Sequence, residues 1–388
     1  MSMIPFPLQY ILILIATFFM SVILTPLVRL LSLKIGAVDH PNARRINKKP
    51  MPSAGGLAII LSFALSVLLF LPMIMPYSFW GQTYFDYMFP VIIAVLVIAI
   101  TGLVDDVKEL SAPLKMLGMI VAACIIWFFT DFRLDDFKIP FGGPVIHFAP
   151  WLSFILTIIW IVSIMNAVNL IDGLDGLASG VSMISLVTMG IVAYFFLPGH
   201  NLFLPVTIFV LVMAILGFFP YNYHPAIIYL GDTGALFLGF MIAVLSLQGL
   251  KNATAVAIVT PIIILGVPIW DTFMAIIRRT LSGEKFYKPD RNHLHHRLLQ
   301  LGLTHRGTVL VIYGISMIFS MISLLLNVSS RIGGVLLVLG LMFGAELFAE
   351  LVGILGENRT PLLNILRFLG NSSYREEVRR KRRYRRGK

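Results

Sequence analysis

The stretch Trp151–Phe196, WLSFILTIIWIVSIMNAVNLIDGLDGLASGVSMISLVTMGIVAYFF, consists of two apolar runs joined by a short turn that carries two aspartates. Each run approaches the ~20 residues that a helix needs to cross the hydrocarbon of a bilayer. The stretch therefore reads as a helical hairpin in lipid, with Asp172 and Asp175 at its bend. Working outward, comparable runs lie near 8–33, 54–75, 88–104, 113–130, 150–168, 177–198, 201–220, 235–249, 253–275, 308–327 and 332–355. The reading is an all-α polytopic membrane protein of about eleven spans.

Composition agrees. Of the 388 residues, 58% are hydrophobic and only 13% charged, where a soluble domain carries roughly a quarter. Cys124 is the only cysteine, which excludes an intrachain disulfide. The start, MSMIPFPLQYILILI, lacks a basic n-region and reads as a first span that stays attached. With eleven alternating spans, one set of loops holds Arg44, Arg45, Lys48, Lys49, Lys108, Arg278, Arg279 and the whole C-terminal tail. The other holds only Arg133, Lys138, Lys251 and Arg331. Basic residues stay on the cytoplasmic side, so the N-terminus is expected outside and the C-terminus inside. Residues 1–357 form the membrane domain and 358–388 a basic tail. The tail, ending REEVRRKRRYRRGK, supplies most of the net charge of +11 and suits anionic lipid head groups. Nucleic-acid binding is not expected, because no folded module accompanies the tail. Glu346 and Glu350 interrupt the last run and read as its early meeting with the interface, without a further role. The loop 131–149 reads as an outward hairpin around Gly142–Gly143.

The informative acids gather on the inner side. GLVDDVKEL places Asp105 and Asp106 at the end of the third span, and the fifth runs into Asn166, Asn169, Asp172 and Asp175. The seventh runs into YNYHPAIIYLGDTGA, with Asn222 and Asp232, and the ninth passes Asp271 before DRNHLHHR. Acids at a lipid boundary are costly unless paired, solvated or bound to a cation. Such a cluster calls for compensation. Carboxylate oxygens suit Mg²⁺ or Mn²⁺. A zinc site in HLHHR is disfavoured, because His293, His295 and His296 cannot all face one ion from a single helical turn. Arg and His there suit phosphate oxygens. PSAGG (Pro52–Gly56) is read equally as close helix packing.

In combination, DHPNARRINKKPMPSAGG, GLVDDVKEL, NAVNLIDGLDGLASG, YNYHPAIIYLGDTGA and DRNHLHHR resemble the bacterial polyprenyl-phosphate N-acetylhexosamine-1-phosphate transferases, from about Val38 to Gly302. HLHHR and the Arg278–Arg279 pair look like the branch that uses UDP-N-acetylglucosamine to begin teichoic acid or O-antigen, rather than the phospho-MurNAc-pentapeptide branch. Asn47 departs from the histidine that many relatives carry there. The resemblance implies a Mg²⁺-dependent enzyme of the bacterial plasma membrane. It would move GlcNAc-1-phosphate from UDP-GlcNAc to undecaprenyl phosphate at the cytoplasmic face, and it allows a homodimer. It also implies roles. Asp105 and Asp106 would lie at the lipid-phosphate nucleophile and Asp232 would bind the metal. Asn169, Asp172, Asp175 and Asn222 would line the nucleotide pocket, with Arg278 and Arg279 on substrate. His293, His295, His296 and Arg297 would contact the diphosphate and sugar. A transporter or flippase is the rival from another class; acids at helix ends on one side, rather than at mid-bilayer, favour surface chemistry.

Overall fold

The apolar runs are helices because a backbone in lipid must satisfy its N–H and C=O groups within its own segment. A computed structural model describes residues 6–40, 50–75, 83–138, 144–196, 202–250, 262–263, 266–281, 293–353, 360–370 and 375. The chain begins with α1 (Phe6–Ile35), paired strands β1 (Val38–Asp39) and β2 (Met51–Pro52), and α2 (Gly56–Leu65), which continues through a π-turn into α3 (Leu71–Ile74). There follow α4 (Tyr84–Lys108), α5 (Ala112–Phe129), the hairpin β3 (Asp136–Lys138) and β4 (Val145–His147), and α6 (Pro150–Ile171). Next come α7 (Leu177–Phe195), α8 (Phe203–Asn222), α9 (Gly231–Leu250) and α10 (Gly266–Leu281). The last are α11 (Leu294–Gln300), α12 (His305–Val328), α13 (Arg331–Val352) and α14 (Pro361–Gly370).

Among the described residues ten helical segments are long and apolar enough to cross a membrane, and they match ten of the eleven expected runs. The other, 253–275, is described only in part: its second half enters α10, and residues 253–261 and 264–265 are outside the described residues. Helix α9 begins earlier than its apolar run, so Asp232 stands in its first turn rather than in the loop before it. Local chemistry sets several boundaries. Thr83 and Asp86 form a reciprocal cap on α4, which ends where Glu109 turns to φ 49°. Proline in the first turn opens α5 and α6. The expected hairpin is present, with Phe137 opposite Ile146; its tip at Gly142–Gly143 is outside the described residues.

Helix α9 is the axis of the bundle. In its membrane-crossing window 83% of residues are buried, against 17% for the peripheral α13, and it packs on α2, α4, α6, α7 and α8. Close approach needs small residues: a Cβ on Gly56 would stand 2.0 Å from the Gly234 Cα, so PSAGG serves helix packing. Buried hydroxyls tie spans together, as in Tyr84 to Thr207 (2.6 Å) and Thr17 to Ser66 (2.7 Å). The outer faces expose Ile23, Leu27, Phe129, Leu336 and Met342, a surface made for lipid.

Successive spans alternate in direction, which brings the ends of α4, α6 and α8 together with the starts of α5, α7 and α9. The α1–α2 connection joins them there: Tyr229 N–H donates to Pro52 O (2.8 Å) and Gly56 N–H to Leu230 O (2.9 Å). All the chemistry described below lies at this end.

Candidate active site

The adjacent acids of GLVDDVKEL face different partners. The Asp106 carboxylate accepts from Asp232 N–H (2.9 Å), Thr233 N–H (3.0 Å) and the Thr233 hydroxyl (2.6 Å). It thus caps the start of α9, where a negative charge meets the positive end of the helix dipole. Gly231, at φ 72°, makes the turn into that start; a Cβ there would lie 1.6 Å from Ser53 O. Asp105 accepts instead from Leu110 N–H (2.6 Å) and pairs with the Lys115 ammonium (2.8 Å). Lys115 also pairs with Asp232, which accepts from the Asn169 amide. Three helix ends and the start of α5 therefore converge on Asp105, Lys115, Asn169 and Asp232. Sequence reading missed Lys115. Its signal was a lone lysine inside the fourth apolar run.

Asp172, just beyond α6, is half-buried in the turn. Burial, then the charges of Asp232, Asp106 and Asp175, hold its carboxyl well above the usual range. Burial is the larger cause, and the three neighbouring carboxylates add to it. The donor set suits a divalent cation: Mg²⁺ characteristically takes one or two carboxylates and completes its shell with water and substrate phosphates. Asp232 and Asp105, with Lys115 between them, are the carboxylates such an ion would share. A second constellation, Asp175, His224 and His305, brings its ligand atoms within 4.8 Å of one another. Those atoms already have hydrogen-bond partners within the protein. His224 Nδ1 lies 2.7 Å from the Asp175 carboxylate, and Asp175 N–H donates to His305 Nε2 (3.0 Å). The carboxylate also accepts Ala226 N–H (3.1 Å), and the two rings stack at 4.1 Å. This is a brace joining the α6–α7 turn, the α8–α9 loop and the start of α12.

Asn222 is likewise a brace. It accepts the Ser179 hydroxyl (2.8 Å) and donates to Ile228 O (3.2 Å). Of the expected nucleotide-pocket residues, Asn169 and Asp172 lie with the carboxylate cluster, whereas the side chains of Asp175 and Asn222 hold loops in place.

The histidine motif is carried by α11 and oriented by Asp271 of α10. The buried Asp271 carboxylate bonds His293 Nδ1 (2.9 Å) and accepts Leu294 N–H (2.8 Å), so one group both fixes the imidazole and caps α11. His295 is buried, and among the described residues its Nε2 has no hydrogen-bond partner; it faces Gly173, where a Cβ would stand 2.4 Å away. The glycine lets α11 dock on the DGLDG turn. Burial and then His296 lower the His295 pKa to about 3, so this imidazole is neutral and can offer a hydrogen bond but no charge. The His296 ring lies beside it, centroids 4.1 Å apart and planes tilted by 45°. The Arg297 guanidinium bonds Gln300 (3.0 Å) and lies against Gly353 after α13; none of its described bonds reaches the carboxylates. Arg278 and Arg279 fall in the last turn of α10, and their side chains are outside the described residues. A cavity of about 740 Å³ opens among α10, α12 and α13, lined by Val267, Trp270, Phe319, Leu336 and Phe348. Asp271 and Leu294 border it, beside the histidine motif.

Residues 88–250 match the profile of glycosyl transferase family 4. The chain is similar to the probable undecaprenyl-phosphate N-acetylglucosaminyl 1-phosphate transferase of Bacillus subtilis (strain 168), 39% identical over 87% of this chain and 91% of that protein. It is similar also to the decaprenyl-phosphate N-acetylglucosaminephosphotransferase of Mycobacterium tuberculosis (strain H37Rv), 34% identical over 74% of each. A third relative, the undecaprenyl-phosphate alpha-N-acetylglucosaminyl 1-phosphate transferase of Salmonella typhi, is 26% identical over 77% of this chain and 79% of its own length.

Proposed function

The chain belongs to glycosyl transferase family 4, and on that premise we propose that it transfers N-acetylglucosamine 1-phosphate from UDP-GlcNAc to undecaprenyl phosphate, releasing UMP. The relatives' names supply the acceptor and the transferred group. The observation that carries the reading on this chain is the meeting of Asp105, Lys115, Asn169 and Asp232 at one end of a membrane bundle, with the histidine motif docked on the same turn. Such a site lies where a lipid phosphate and a water-soluble nucleotide meet. The basic loops favour the cytoplasmic face of the bacterial plasma membrane, and teichoic acid or a related glycan is the polymer begun.

Both reactants are anionic. A phosphate monoester has a second pKa near ~6, so the acceptor is largely dianionic at neutral pH and needs little help from a base. The barrier is the approach of a dianion to a diphosphate, and positioning with charge neutralisation lowers it. Asp106 supports direct attack on the β-phosphorus over an aspartyl-phosphate, because both its oxygens are engaged in capping α9. Lys115 supplies fixed positive charge and Asn169 orients Asp232. His293, aligned by Asp271, and neutral His295 offer hydrogen bonds to the donor. Asp232, with Asp105 beside it, would hold Mg²⁺ or Mn²⁺, which when bound supplies positive charge to the diphosphate. The apolar cavity beside Asp271 suits the isoprenoid chain of the acceptor.

The test is UMP release by purified enzyme in nanodiscs with undecaprenyl phosphate and Mg²⁺. The donor panel is UDP-GlcNAc, UDP-GalNAc and UDP-MurNAc-pentapeptide. Turnover with UDP-GlcNAc that requires the lipid phosphate is expected. Lipid-independent exchange of labelled UMP into UDP-GlcNAc would replace direct transfer by a covalent enzyme intermediate, and turnover confined to the MurNAc donor would overturn the assignment.

A further inference from the structure

We propose that α14 lies flat in the membrane–water interface at the site end of the bundle and, with the basic chain that follows it, binds the anionic phospholipid surface of that leaflet. This rests on the membrane embedding alone and not on the transfer reaction above.

Helix α14 is held in place by Glu350, which sits in the last turn of α13 and is only 3% exposed. Its two carboxylate oxygens accept Leu362 N–H (2.6 Å) and Leu363 N–H (2.7 Å). Pro361, the first helical residue, has no N–H, so Glu350 meets the first free donors of α14 at the positive end of its dipole. A buried carboxylate in an apolar span is costly without such partners. The interruption that α13 carries in its sequence is therefore the anchor point of the next helix. At ten residues α14 is about 15 Å long, too short to cross the hydrocarbon.

Its faces are sorted for an interface. Ile365, Leu366 and Leu369, at i, i+1 and i+4, share one side and are 56%, 37% and 65% exposed. Asn364 and Arg367, at i and i+3, lie on the other. An exposed apolar stripe opposite a polar one, on a helix fixed at the end of a membrane span, buries itself at the level of the acyl-chain boundary. Residues 371–388 then carry nine Lys and Arg against two Glu. Arg375, the first of these, donates to Leu369 O (3.3 Å) at the C-terminal end of α14. Charge complementarity thus identifies the occupant: an apolar stripe for acyl chains and a basic segment for phosphate head groups are the two signals that together give stable interfacial binding.

The experiment uses the full chain with Cys124→Ser and single cysteines at 364, 365, 367 or 369. Each is spin-labelled in nanodiscs of phosphatidylcholine alone or with phosphatidylglycerol. Labels at 365 and 369 should favour oxygen over a water-soluble nickel complex, and labels at 364 and 367 the reverse. Spin-labelled phosphatidylglycerol should show a motionally restricted fraction that is lost when Arg379, Arg380, Lys381, Arg382 and Arg383 are changed to Gln. Equal access to both reagents at all four positions, or protection of 365 and 369 from both as a protein partner would give, overturns the interfacial placement. A restricted lipid fraction unchanged by neutralising the tail overturns the lipid-binding half. Glu350→Ala should erase the contrast between the two faces; should that variant not fold, the cysteine series still decides.

Discussion

Asp106→Asn separates a structural acid from a catalytic one. In the native protein three donors converge on this carboxylate, two at Oδ2 from Thr233 and one at Oδ1 from Asp232 N–H. Asparagine is nearly isosteric, and its carbonyl oxygen can keep the Thr233 pair. Its NH₂ group then faces Asp232 N–H donor to donor, leaving one backbone donor of the first turn of α9 without an acceptor. An unsatisfied buried donor costs about 1–3 kcal/mol, and loss of the negative charge at the helix start adds about 0.3–1 kcal/mol. The sum is roughly 1–4 kcal/mol, and at about 2 °C per kcal/mol for a large chain Tm should fall by roughly 3–8 °C. Thermal unfolding in one detergent, with UMP release at a temperature well below both transitions, measures the two effects separately. Thr233→Val removes only the hydroxyl donor and should cost about 1 kcal/mol. The double variant should show coupling, because both changes act on one network. An Asp106→Asn protein with unchanged Tm and abolished turnover would refute the cap and return Asp106 to the chemistry.

Lys115→Met leaves Asp105 and Asp232 without their shared counter-charge. Breaking this partly buried pair should cost less than the about 3–5 kcal/mol of a fully buried one, and added Mg²⁺ should raise the Tm of this variant more than that of the native chain, read by melting against Mg²⁺ concentration. Two side chains act oppositely on the pH dependence of stability. Asp172 has a raised folded pKa, so its contribution is full below the ordinary carboxylate range and is lost as pH rises through the folded value; Asp172→Asn should flatten the alkaline decline in Tm. His295 is lowered to about 3, so stability is lost as pH falls from the unfolded value of about 6.5 toward 3, and His295→Phe should reduce that acid loss. Asp271→Asn keeps an acceptor for one of its two donors only; kcat should drop about a hundredfold with a displaced pH profile while KM for UDP-GlcNAc changes little.

Much of the fold was legible because hydropathy and length are local properties. Each apolar run announced its own helix, and the chain's alternation through the membrane brought Asp105, Asp172 and Asp232 to one end before any contact was known. The motifs also announced the family. What stayed hidden was the partner of each acid. Nothing in DD separates two neighbours, yet Asp105 meets Lys115 and Asp106 meets Thr233, 127 residues away. The sequence could not show that Arg297 bonds Gln300, or that the Glu350 carboxylate, an interruption in an apolar run, caps α14.

The sequence by itself therefore determined that the protein lives in lipid, how its spans run, and at which end its charges collect, since these follow from the cost of exposing polar backbone to hydrocarbon. Only the tertiary structure decided which of those charges brace helix ends and loops and which meet one another across the bundle. Hydrogen bonds across a bundle depend on the angle and depth at which distant helices meet, and no single segment carries that information.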